Sequence, residues 1–193
     1  EEIKTYIRRA DLSLERMGFT EHSFAHVMRV SKCAGDMLQQ LGYDEHDVEL
    51  ARIAGYMHDI GNVINRIDHA QSGAIMAFRI LDKMGMQYED IAKIIAAIGN
   101  HDESTAFPVS DVAAALIIAD KSDVRRSRVR NADKSSFDIH DRVNYAVTEN
   151  HVSLSDDHTS LILSLTLDTE ISPVIEYFEI FLSRMKLCQK AAS

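Results

Sequence analysis

Six side chains of metal-ligating type, His26, His58, Asp59, His69, His101 and Asp120, each lie on or just past an apolar helical stripe. Burying an unpaired imidazole or carboxylate there is costly. A fold that follows these stripes must therefore supply the six groups with a cation or with several donors. Imidazole and carboxylate are the usual ligands of zinc, manganese or iron, and a bound ion would offset the cost of burial. The adjacent pair in Met57-His58-Asp59-Ile60-Gly61 is the centre of the set. Asp120 is the sharpest member: Ala113, Leu116, Ile117 and Asp120 fall at i, i+3, i+4 and i+7, so its carboxylate faces the core. The alternative for Asp120 is a buried carboxylate that caps a neighbouring helix or pairs with arginine.

Only two prolines and eight glycines punctuate the 193 residues, which favours helices. A first helix is predicted over residues 3–17, ending at Gly18. Thr20 reads as the N-cap of a second, running to Leu41 with Gly42 as its stop and Phe24, Val27, Val30, Met37, Leu38 and Leu41 inward. Asp44 caps a third, in which Leu50, Ile53, Ala54, Met57 and His58 share one face and Gly61 marks the end. A fourth spans about residues 69–84, with His69 in its first turn and Ile75, Phe78 and Leu81 inward. The fifth carries Ile91, Ile94, Ile95 and Ile98 and ends at Gly99, just before His101. Pro108 and Ser110 open the sixth, which holds Asp120.

After about residue 130 the texture changes. A polar loop over 131–136 precedes a helix expected over 138–149. Residues 151–155 and 160–167 then alternate with period two around Asp156-Asp157-His158, the pattern of a β-hairpin. An amphipathic helix over about 172–190, carrying Ile175, Phe178, Phe181, Leu182 and Met185, closes the chain. The expectation is one domain over 1–193, with a helical core at about 20–130 and a C-terminal appendage at about 138–193. A two-stranded ribbon is marginal alone, so it must pack on the core or pair with another chain, which would make a homodimer.

A net charge of −9 and a pI near 5.4 argue against a nucleic-acid polymer or an anionic membrane as partner. No apolar run approaches a membrane span and no signal-peptide pattern is present. Cys33 and Cys188 are solitary, as in a reduced cytoplasmic protein. Within this acidic chain the run Arg125-Arg126-Ser127-Arg128-Val129-Arg130, with Lys121 and Arg66, forms a cationic patch beside the candidate metal site. Phosphate binding is one reading of it; cations decorating a helix C-terminus are the other. Asp102 and Glu103 adjoin His101 as second-sphere groups or solvated charges. His22, His46, His140, His151 and His158 fit no constellation and read as surface residues.

One His, then an adjacent His-Asp pair, then a distant Asp, each on a successive helix, resembles the HD-domain phosphohydrolase superfamily. The matching stretches are His22-Ser23-Phe24-Ala25-His26-Val27-Met28-Arg29-Val30, Met57-His58-Asp59-Ile60-Gly61-Asn62 and Ile118-Ala119-Asp120-Lys121-Ser122-Asp123. His69 and His101 are similar to the extra ligands of members with a second metal. The Gly-Tyr-Pro stretch of the cyclic-dinucleotide branch is missing after His101. The resemblance implies a mainly all-α HD core carrying the small hairpin and closing helix. It implies one or two divalent transition ions (Fe, Mn or Zn) held by His26, His58, Asp59, His69, His101 and Asp120. It also implies hydrolysis of a phosphoester, of a nucleotide or similar small phosphorylated metabolite. Asp59 would bridge the ions; Lys121 would assist catalysis and, with Arg66, Asp123 and Arg125, hold substrate. Two alternatives stay open: a di-iron oxygenase built on the same ligands, and a metal-containing regulatory module.

Overall fold

The computed structural model describes residues 1–193 as eight α-helices and one antiparallel hairpin. Helix α1 (Glu2–Arg16) leads to α2 (Phe24–Gln40) and α3 (Glu45–Met57), followed by a 3-10 turn at Ile60–Val63. Helices α4 (His69–Lys83), α5 (Tyr88–Gly99) and α6 (Asp111–Lys121) complete the core. Helix α7 (Ile139–Ala146), strands β1 (Val147–Leu154) and β2 (Leu161–Leu167), and α8 (Val174–Ala191) follow. The mainly helical class with a small C-terminal hairpin is as the sequence predicts.

Most boundaries follow from local chemistry. Asp44 accepts from the Asp47 amide and Ser110 from the Ala113 amide, so both cap as expected. The cap of α2 is Ser23 rather than Thr20, its hydroxyl accepting from Ala25 N–H. Residues 17–22 are thereby left as an irregular segment. Helix α7 stops at Ala146 instead of running to residue 149, because the β-branched Val147 and Thr148 enter the strand.

One apolar cluster joins α1 through α6, and α6 is buried on nearly every side, from Val112 to Ala119. Helix α4 departs from expectation. Ile75 and Phe78 point outward, and Ala70, Gly73 and Ala77 face inward beside Ile80 and Leu81. Small residues win that face because α4 lies against the backbone of the 3-10 turn. Leu41 is also exposed. On α8 the buried stripe is Tyr177 and Phe181, continued by half-buried Arg184 and Cys188, whereas Ile175, Phe178, Leu182 and Met185 are exposed. Val124, Val143, Val147, Tyr177 and Phe181 make a second cluster that joins α7, β1 and α8.

The hairpin pairs Leu154 with Leu161 and Val147 with Leu167, with an irregularity between Val147 and Glu149. It rests on the core through Val152 and Leu161. Asn150 Nδ2 donates to Ser122 O at 2.5 Å and Val124 O at 2.8 Å, which ties β1 to the chain leaving α6.

Two glycines set the approach distances that matter for the site. A Cβ on Gly55 would lie 2.7 Å from Ser31 Cα, so only glycine lets α3 seat on α2. A Cβ on Gly61 would lie 2.0 Å from His69 O, so the 3-10 turn touches the start of α4 directly. Gly55→Ala is therefore expected to cost about 1–3 kcal/mol by overpacking and to weaken metal binding, because it forces α2 and α3 apart. Gly85→Ala, whose new methyl meets open space at a positive φ, should cost about 1–2 kcal/mol without touching metal affinity. Urea melts and metal titrations check both; wild-type metal affinity in the Gly55 variant would refute this packing argument.

Candidate metal centre

Helix ends and turns deliver the candidate ligands to one point. His26 lies in the first turn of α2, His58 caps α3, and Asp59 opens the 3-10 turn. His69 begins α4, His101 follows α5 by two residues, and Asp120 is in the last turn of α6. The four imidazoles are buried, as is Asp59, and Asp120 is nearly so.

Their Nε2 atoms converge. His26 Nε2 is 3.2 Å from His58 Nε2 and 3.3 Å from Asp120 Oδ1, and His58 Nε2 is 3.3 Å from Asp59 Oδ2. His69 Nε2 is 3.3 Å from His101 Nε2 and 3.5 Å from Asp59 Oδ1, with His101 Nε2 3.9 Å from the same oxygen. Asp59 thus turns one oxygen to each histidine pair. Bonds of about 2.1 Å at right-angled to tetrahedral geometry place ligand atoms roughly 3.0–3.4 Å apart, close to the spacings found.

The other ring nitrogens decide what these atoms can do. His58 Nδ1 faces Gly55 O at 2.8 Å, His69 Nδ1 faces Arg66 O at 3.0 Å, and His101 Nδ1 faces Ile98 O at 2.6 Å. A carbonyl can only accept, so each Nδ1 carries the hydrogen. His26 Nδ1 donates to Asp123 Oδ2 at 2.8 Å. In the neutral rings all four Nε2 atoms are then bare lone pairs, aimed at one another and at carboxylates. Such an arrangement repels itself unless a cation sits among the atoms, and this is the donor set that suits divalent transition metals.

The electrostatics agree. Burial opposes charge on His58, yet Asp59 and Asp120 overcome it and raise the imidazole to about 10. A proton can thus do part of a metal's work. Burial likewise opposes ionised Asp59 and Asp120, but the imidazoles and, for Asp120, Lys121 hold both well below the usual carboxylate range. Burial depresses His69 to about 4, so it stays neutral and able to ligate. Asn62 Nδ2 donates to Asp59 Oδ1 at 2.9 Å and fixes that carboxylate.

The site opens into a cavity of about 330 Å³, walled by Asp59, His69, His101 and Asp120 at one part and by residues of four further segments. Of the residues expected to hold substrate, Arg66 and Lys121 line it. Lys121 Nζ lies 2.7 Å from Asp120 Oδ2 and Arg66 Nη1 lies 3.4 Å from His69 Nε2. Asp123 and Arg125 do not line it. Asp123 holds the His26 ring, and burial notwithstanding, the His26 bond and the Arg128 guanidinium keep it ionised. Arg125 is occupied by Glu21 and Asp123. Among the run of arginines only Arg128 reaches the cavity.

Several wall residues escaped the sequence reading. His22 and His140, read as surface residues, line the cavity with Asn144, Phe181 and Arg184. His22 gave no periodic signal, because it precedes the Ser23 cap and lies outside α2. Arg184 was concealed by its partners on α8, since it completes the stripe Tyr177, Phe181, Arg184.

The HD domain family profile matches residues 23–143. The chain belongs to the HD-domain family. This is a family of metal-dependent hydrolases, and the ligand geometry above lies within the matched HD segment. Ribonuclease Y of Bacillus thuringiensis is 30% identical over 122 residues, covering 63% of this chain and 22% of the relative. Ribonuclease Y of Aster yellows witches'-broom phytoplasma is 28% identical over 122 residues, 63% of this chain and 21% of the relative. An uncharacterized protein of Methanocaldococcus jannaschii is 24% identical over 161 residues, 72% and 62% of the two chains. This HD chain thus spans about a fifth of the ribonuclease Y relatives. A crystal structure of a predicted HD superfamily hydrolase from an uncultured Thermotogales bacterium superposes with a TM-score of 0.51 at 28% identity. That match covers 64% of this chain and 67% of the other.

Two outcomes are expected from the geometry. Protein purified without chelator should carry two ions per chain by elemental analysis, and the His69→Ala, His101→Ala double variant should carry one; two ions in that variant would refute the second position. Asp123→Asn should lower metal affinity by about 10–100-fold while leaving the helical circular dichroism intact, because it weakens the hold on His26. Unchanged affinity would show that the His26–Asp123 pair does not tune the site.

Proposed function

We propose that this HD protein is a metal-dependent phosphohydrolase acting on a nucleotide or similar small phosphorylated molecule. His26, His58, Asp59 Oδ2 and Asp120 would hold one divalent ion of iron, manganese or zinc; His69, His101 and Asp59 Oδ1 would hold a second. When bound, the ions supply Lewis-acid charge to the phosphoryl group and lower the pKa of the attacking water. The observation that carries the reading is the convergence of four buried Nε2 atoms on the two oxygens of Asp59, at the wall of a cavity that Lys121, Arg66, Arg128 and Arg184 also line.

Lys121 and Arg66 adjoin the ligands, so they are placed to grip the oxygens of the reacting phosphoryl group. Asp120 is shared: Oδ1 faces His26 and His58 while Oδ2 accepts from Lys121. Hydrolysis breaks the phosphorus–oxygen ester bond as water adds to phosphorus, and a proton passes to the leaving oxygen. Four cations and four carboxylates, Asp59, Asp120, Asp138 and Asp141, line the cavity, so its side chains carry no net formal charge and bound divalent ions would tip it toward an anionic substrate. A cavity of about 330 Å³ admits a nucleotide-sized ligand.

The ribonuclease Y relatives support a second reading, in which the phosphoester is an RNA linkage. The net charge of −9 disfavours wrapping a polymer around the surface, whereas a strand end would meet only the cavity, where Lys121, Arg66, Arg128 and Arg184 offset the four carboxylates. A screen of phosphorylated metabolites and short RNAs, with phosphate and oligonucleotide release as readouts, tests both. Turnover is expected, and Asp59→Ala should reduce it by at least about 1,000-fold. Two equivalents of iron with oxygen consumption and no hydrolysis would replace the hydrolase with an oxygenase.

A further inference from the structure

Two of the four cavity cations have no evident business with the reacting phosphoryl group. Lys121 and Arg66 each touch a candidate ligand, whereas Arg128 and Arg184 touch none of the six. Arg128 is buried in the turn after α6. Its Nε donates to Glu21 O at 2.9 Å and its Nη1 to Asp123 O at 2.8 Å, which leaves Nη2 without a protein acceptor. Arg184 comes from α8. Its Nε pairs with Glu103, its guanidinium stacks 4.5 Å from the Phe181 ring, and both Nη groups are without a protein acceptor. The two side chains line one cavity.

Each guanidinium is held by its own neighbours and keeps spare Nη donors, and both side chains line the cavity along with Asp138 and Asp141. Burial disfavours charge on Arg128, Asp123 and Asp120 favour it, and Arg184 weakly opposes it; Asp123 Oδ2 lies 3.7 Å from Arg128 Nη1. Both arginines already have a carboxylate partner, Asp123 and Glu103, so what an anion between them would add is acceptors for the spare Nη donors. Planar forks of this kind suit phosphate oxygens.

Resting on the phosphohydrolase reading, we infer that Arg128 and Arg184 form a second phosphate subsite, so that the substrate carries another phosphoryl group besides the one that reacts. The shared chemistry is two phosphates on neighbouring positions of one sugar or one strand, as in a nucleoside bisphosphate or a strand end of RNA. Arg128 lies inside the matched segment 23–143 and Arg184 outside it, so the C-terminal helix would supply half of this specificity.

Calorimetric titration of the metal-loaded protein with hydrolysis-resistant methylenephosphonate analogues tests the inference. The analogues are adenosine 5′-monophosphate, adenosine 3′,5′-bisphosphate and a short RNA. Wild type should bind the bisphosphate at least about 10-fold more tightly than the monophosphate. Arg184→Gln should reduce that ratio to near one, and Arg184→Lys should restore part of it. Arg128→Lys, which keeps a charge in the buried turn, should lower the ratio independently. RNA binding tighter than bisphosphate assigns the second phosphate to a strand, and the reverse assigns it to a small molecule. No preference in wild type, or equal loss for both nucleotides in Arg184→Gln, would overturn the subsite. Phosphate release from the unmodified compounds is read separately: preference without turnover removes the hydrolase reading alone, and turnover without preference removes the subsite alone.

Discussion

The structure depends on how four buried imidazoles are held by their outer nitrogens. Three use the same local device, a hydrogen bond from Nδ1 to the carbonyl three residues earlier: His58 to Gly55, His69 to Arg66 and His101 to Ile98. Carbonyls at helix ends and turns are available for this because their own helical partners are missing. The device needs no distant residue, and it settles tautomer and direction together. His26 differs. It sits inside α2 and takes its partner from Asp123, a residue 97 positions away. Local rules thus aim three rings, and tertiary structure aims the fourth.

That division explains what the sequence discloses. Helical periodicity and caps locate α2 through α6 and put His58 and Asp120 on inward faces. It could not choose between two stripes on one helix. On α8 the more apolar stripe, Ile175, Phe178, Leu182 and Met185, is exposed, and the stripe with Tyr177, Phe181 and Arg184 is buried. On α4 the large Ile75 and Phe78 lose to Ala70, Gly73 and Ala77, since contact with the 3-10 turn requires small side chains. Hydrophobicity ranks faces, whereas the distance to the neighbouring backbone decides between them. The arginine run behaves alike: adjacency to Asp120 drew attention to Arg125, but only Arg128 turns into the cavity.

The cavity is a composite. Its ligand wall comes from the segment shared with the HD relatives, and its far wall takes Phe181 and Arg184 from α8. The C-terminal helix is fastened to the ligand wall, because Glu103, two residues after His101, pairs with Arg184. A segment that reads from sequence as an appendage therefore shapes the space in which any substrate must sit. Chains that share the ligands and not this wall can differ in what they admit while keeping the same reaction.

The tie between Asn150 and the carbonyls of Ser122 and Val124 has a consequence in time. Those two residues flank Asp123, so the strand secures the segment that aims His26. A ribosome delivers His26, His58 and Asp59 early, Asp120 and Asp123 much later, and Asn150 later again. In a nascent chain the Gly55 carbonyl can already aim His58, but His26 has no partner until Asp123 has been made. The complete set of candidate ligands, with the group that aims His26, therefore exists only in a nearly finished molecule.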